Sequence, residues 1–108
     1  MNIEELRIFA LQLNDVTEGF PFGDDTLVYK VNNKIFLLVG LNAAVPSMNV
    51  KCDPEKALEL REEFPGQVLP GFHMNKKHWN TIVFQGLKTS FLKQMIEDSY
   101  HLVAGKKK

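Results

Sequence analysis

Two apolar runs joined by Asn32-Asn33 constrain the fold of this chain more than any other feature. In Thr26–Val31, Leu27, Tyr29 and Val31 alternate to one side, which is the period of a half-buried strand. Ile35–Val39 is apolar on both faces, as in a central strand whose second face is partly covered. Asparagine tolerates the positive φ that a two-residue hairpin turn demands. The stretch is therefore read as an antiparallel hairpin, and the rest of the chain must supply cover for it. Ser47–Cys52 adds a third strand, with Met48, Val50 and Cys52 inward and Ser47, Asn49 and Lys51 outward.

Helical spacing frames these strands. Ile3, Leu6, Phe9, Ala10 and Leu13 predict a first helix over 3–14, with Asn2 as its cap and Glu5 completing a capping box. Asp53-Pro54-Glu55 reads as cap, first helical residue and acidic first turn of a second helix, stopped by Pro65-Gly66. Gln67–Phe72 and Asn80–Phe84 read as short strands. Phe91, Met95, Ser99 and Leu102 line a last helix capped by Thr89 or Ser90. Residues 15–25 read as a long connection in which Phe20 and Phe22, around Pro21, plug the end of the core. The predicted order is α-β-β-β-α-β-β-α. It implies an α+β fold, a two-layer α/β sandwich whose antiparallel sheet carries helices on one face.

A chain of 108 residues has room for one core. The domain is set at 1–105, followed by a basic tail, 106–108. Thirteen basic residues balance thirteen acidic ones, so the whole chain lacks the positive excess of a strong nucleic-acid binder. The charge is unevenly spread. Residues 1–29 hold one basic residue against six acidic ones, and residues 70–108 hold seven against two. Such asymmetry is read first as a solvated tail with intramolecular charge balancing, and second as a sign of an anionic partner for the C-terminal third. The single cysteine, Cys52, excludes an internal disulfide and reads as a small buried apolar side chain. The acidic start Met1–Glu5 has no basic leader, and the longest apolar run, Ile35–Val39, is far too short to span a bilayer. No membrane association and a cytoplasmic location are expected.

The stretch Pro70–Ile82 holds the only tryptophan, two of the three histidines and the pair Lys76-Lys77. Large polar side chains on a connection are where function concentrates. Pro-Gly-Phe-His-Met-Asn-Lys-Lys-His-Trp-Asn-Thr at 70–81, preceded by Lys51-Cys52-Asp53-Pro54, resembles the MmcQ/YjbR family. The resemblance runs the whole chain, through Phe20-Pro21-Phe22-Gly23 to Asp98-Ser99-Tyr100. It implies a frataxin-like (CyaY-like) fold. It also implies DNA binding through paired hairpins that look like wings, an analogy from shape. It brings no catalytic residues.

Residue chemistry narrows the candidates. His73 and His78 are five apart without a third ligand, so no metal is expected. No nucleophile or paired acid stands beside them, so no catalysis and no cofactor are expected either. Trp79 is read as a structural anchor that pins the loop to the sheet. Lys76, Lys77, Asn75 and His73 are candidate nucleic-acid contacts, with Lys30 and Lys34 on the Asn32-Asn33 hairpin as the second wing. The alternative is a monomeric protein-interaction module that binds a partner protein through its sheet. A cluster of Lys30, Lys34, Lys76 and Lys77 favours DNA, and an exposed apolar sheet face favours the protein partner.

Overall fold

A computed structural model of the chain describes residues 1–42, 44–71 and 74–105. Helix α1 (Ile3–Leu11) leads into β1 (Val16–Gly19), β2 (Thr26–Val31), β3 (Lys34–Gly40) and β4 (Ser47–Lys51). Helix α2 (Pro54–Glu63), β5 (Val68–Pro70), β6 (Trp79–Val83) and α3 (Thr89–Ala104) follow. The six strands form one sheet of order β1-β2-β3-β4-β6-β5, antiparallel at every pairing. All three helices pack on one face of it, around Leu6, Tyr29, Phe36, Met48, Ile82 and Ile96. The α+β two-layer sandwich is thus the fold.

The caps follow the sequence closely at two helices. Asn2 and Glu5 form the reciprocal capping box of α1, with Glu5 N–H donating to Asn2 Oδ1 at 2.8 Å. Asp53 caps α2, and Pro54 starts it. Helix α3 differs: Lys88 is its cap residue and Thr89 is already helical, so neither hydroxyl caps it. The Leu92 N–H bonds back to the Lys88 carbonyl at 3.1 Å and sets the first turn there.

The hairpin turn forms as expected, with φ of 51° at Asn32 and 69° at Asn33. The strands beyond it are not in simple register. Tyr29 pairs with Leu37 and Lys30 with Ile35, so Phe36 is an extra residue, a β-bulge. The bulge puts Phe36 and Leu37 together in the helix-side core. It also leaves the Phe36 carbonyl and the Lys51 N–H off the ladder. Ser99, fully buried on α3, serves both: its Oγ donates to the Phe36 carbonyl at 2.6 Å and accepts from Lys51 N–H at 2.8 Å.

Strand β1 is an addition to the expected order, since 15–25 reads as a connection. Its sequence, Val-Thr-Glu-Gly, has one apolar residue. A side-chain network holds it in place instead. Glu18 faces Tyr29 across the β1–β2 ladder and receives its hydroxyl at 2.7 Å. Arg7 of α1 clamps the same carboxylate with two bonds, Nε at 2.7 Å and Nη2 at 3.0 Å. The connection that remains, 20–25, does not plug the core. Phe20 is 49% exposed and Phe22 63% exposed. The β1–β2 and β3–β4 loops tie to each other, Leu41 N–H to the Asp25 carbonyl at 2.8 Å.

Candidate nucleic-acid interface

Strand alternation fixes what the helix-free face presents. Tyr29 and Val31 point to the helices, so Lys30 points away; Met48 and Val50 do likewise on β4, so Lys51 points away. Val28, Leu38 and Trp79 also lie on this second face, with Ile35 and Met74 packed against them. They are nonetheless buried, at 1%, 7% and 9% exposure. No helix covers them. They pack with one another and with Met74 and Ile35 on the outer face of the sheet.

The loop that brings Met74 and Trp79 into place is built from its own backbone and one arginine. Asn75 Oδ1 accepts from Lys77 N–H at 2.9 Å, and the Asn75 carbonyl accepts from His78 N–H at 3.1 Å and Trp79 N–H at 3.0 Å. Arg61 reaches in from α2. Its Nε donates to Oδ1 of the fully buried Asn80 at 2.7 Å, and its Nη2 donates to the carbonyls of Lys76 and Trp79. The Asn80 amide donates in turn to the Ala57 carbonyl at 3.4 Å. At the other side Gly71 N–H bonds to the Trp79 carbonyl at 3.0 Å. A Cβ on Gly71 would stand 2.8 Å from Trp79 Cβ and 3.1 Å from its carbonyl oxygen. Gly71→Ala is therefore expected to destabilise the protein by about 1–2 kcal/mol through overpacking. An unchanged midpoint in urea would show that the loop relaxes freely.

The antiparallel order gathers one end of the sheet. The end of β2, the start of β3, the end of β4 and the start of β6 all lie there. Lys30 pairs with Ile35, and Lys51 pairs with Trp79. Lys30 and Lys51 stand two strands apart on the same face, about 10 Å at the backbone. Lys34 is exposed on the hairpin, and Lys76 and Lys77 are exposed on the loop before β6. Among the described residues, the ion pairs are Met1–Glu5 and Arg7–Glu18, and none of these lysines takes part in one. His73 and the tail Lys106–Lys108 lie outside the described residues. Lys51 and Arg61 had no place in the sequence reading of the site. For Lys51 the signal was present, since the same alternation that turns Lys30 outward turns Lys51 outward. Arg61 gave no such signal, because it sits in a charged helix sequence typical of a solvated face.

A groove of about 460 Å³ lies between α2 and α3, lined by Cys52, Asp53, Lys56, Asp98, His101 and Leu102. It gathers a thiol, a histidine and carboxylates that are distant in sequence. Burial pushes the Cys52 thiol up, Lys56 opposes that shift, and Asp53 and Asp98 reinforce it. A thiol kept protonated is a poor nucleophile and a poor metal ligand. Among the described residues no three His, Cys, Asp or Glu side chains come together as a metal site. No helix among them is long and apolar enough to cross a membrane.

The YjbR family model matches residues 11–102. The chain belongs to the YjbR family. Two relatives place this YjbR-family protein more closely. Escherichia coli O157:H7 YbdF is 39% identical over 102 residues, 93% of this chain and 82% of that one. YjbR of Escherichia coli K12 is 33% identical over 101 residues, 93% and 85% of the two chains. Among solved structures, Deinococcus radiodurans DR2400, whose domain is called DUF419, superposes with a TM-score of 0.92 at 34% identity. That match covers 97% of this chain and 80% of that one. A Pseudomonas syringae crystal structure superposes at 0.81 and 27% identity, covering 95% and 99% of the chains. These matches establish the family and its fold.

Proposed function

We propose that the protein binds nucleic acid weakly and with little sequence preference, through the basic end of its sheet. The observation that carries this reading is the convergence of Lys30, Lys34, Lys51, Lys76 and Lys77 on one end, outside any ion pair among the described residues. Lysines meet phosphates as point charges and carry little base information. Arg61 supports the site without joining it, because its guanidinium is spent on the loop carbonyls and Asn80. Asn75 spends its side-chain oxygen on the turn and keeps its amide donors for a phosphate or base edge. The other reading, a protein docked on the sheet, needs an exposed apolar face. Burial of Val28, Leu38 and Trp79 weighs against that face as a docking surface.

With about two to four phosphates neutralised, log K falls against log salt with a slope of about −2 to −4. Changing Lys76 and Lys77 together to Ala is expected to reduce the slope by up to about 2 in magnitude and to weaken binding to all sequences alike. The melting temperature stays nearly constant, since exposed lysines contribute little to stability. Fluorescence anisotropy of labelled DNA at several salt concentrations measures both. Equal slopes for the two proteins, or no binding at low salt, would remove this reading.

A further inference from the structure

The turn region after β1 leaves a groove that the lysine cluster alone does not explain. It lies on the helix-free face, about 380 Å³, and Thr17, Gly19, Phe20, Pro21, Val28 and Lys30 border it. That size falls within the range of ligand clefts. Its floor is flat and open, because Gly19 has no side chain and nothing lies within 4 Å of where a Cβ would be. Phe20 and Pro21 form one side and Lys30 belongs to the basic end described above. The backbone at Phe20 is set by a turn: its carbonyl accepts from Gly23 N–H at 3.4 Å, and the Gly23 carbonyl accepts from Thr26 N–H at 3.4 Å. Glu18 also borders the groove, but both its oxygens are taken by Arg7 and Tyr29, so the guanidinium offsets its charge. Asp24 and Asp25 follow Gly23 and do not line the groove.

We propose that this groove takes a base of a single-stranded nucleic acid, stacked on the ring of Phe20 with its phosphate at Lys30. The inference rests on the nucleic-acid reading above and narrows it to a strand class. An exposed π-face beside a cation is how proteins hold single strands without reading sequence. A paired duplex keeps its bases stacked on each other and has none to offer Phe20. The lysines serve either kind of strand, and Phe20 serves only the single one.

The test is anisotropy of the full chain with labelled oligothymidylate and with a duplex of equal length, at matched salt. Wild type should bind the single strand more tightly. Phe20→Ala should weaken single-strand binding about 5- to 100-fold, with duplex binding and the salt slope unchanged. Phe20→Leu keeps apolar bulk but lacks a π-face and should lose as much, and Phe20→Tyr should retain binding. Full single-strand affinity in the Leu variant, or an equal loss on both probes, would overturn the stacking role and leave the lysine reading standing. Absence of binding to either probe by wild type would remove both.

Discussion

Trp79→Ala is expected to destabilise the protein by about 3–5 kcal/mol, the range of large aromatic truncations in packed sites. The indole is 9% exposed on a face that no helix covers. Its loss removes its own contacts and opens the outer-face cluster it shares with Val28 and Leu38, which are buried as deeply as side chains in the main core. Gly71 packs against Trp79 Cβ, which alanine keeps, so that contact survives and the cost comes from the indole ring. Equilibrium unfolding in urea measures the cost. A variant with the wild-type midpoint would make Trp79 a surface contact and reopen the outer face as a docking site.

Glu18→Ala is expected to cost about 2–3 kcal/mol at neutral pH. Most of this comes from stranding the hydroxyl of the fully buried Tyr29, whose bond to Glu18 is then unmade. The half-exposed Arg7 adds little. The same network gives a pH signature. Hydrogen bonding from Arg7, with help from Tyr29, holds the Glu18 carboxyl below its ordinary value of 4.5, and burial opposes it. A carboxylate with a depressed folded-state value stabilises the fold above its unfolded value and loses that contribution as pH falls through the folded one. Wild type should therefore lose stability below about pH 4.5 more steeply than Glu18→Gln, which does not titrate. At the alkaline side burial, then the bond to Glu18, push the Tyr29 hydroxyl up, so its contribution is present at and below its ordinary value of 10.0 and falls as pH rises beyond it. Urea midpoints for both proteins across acid pH settle the first point; parallel curves would mean that Glu18 titrates as in the unfolded chain.

The parts of the fold that local pattern dictates were legible. The Asn32-Asn33 turn, the capping box at Asn2 and Glu5 and the Asp53-Pro54 start are each set by residues within four positions of each other. Strand β1 was not, because its place depends on Arg7 and Tyr29, eleven residues away in either direction. Aromatic residues flanking a proline suggest burial, yet Phe20 and Phe22 are exposed, in the turn that follows β1 at the sheet edge. In the candidate site, the outward lysines follow from strand period. Their convergence follows only from strand order, which places β6 beside β4 rather than after β5.

That strand order also bears on how the chain assembles. Strands β1 to β4 each pair with a sequence neighbour, so the meander closes through short loops. The β4–β6 pairing must first close a longer one, from Lys51 to Trp79, across α2 and β5. Longer closure costs more entropy before any contact repays it, and such pairings come late in folding. Val28 and Leu38 are in the early meander, and their cover arrives with Trp79. Until it does, an apolar stripe faces water on the side of the sheet that never receives a helix. Association during refolding is therefore expected to follow how fast β6 docks, with the refolded yield falling as protein concentration rises.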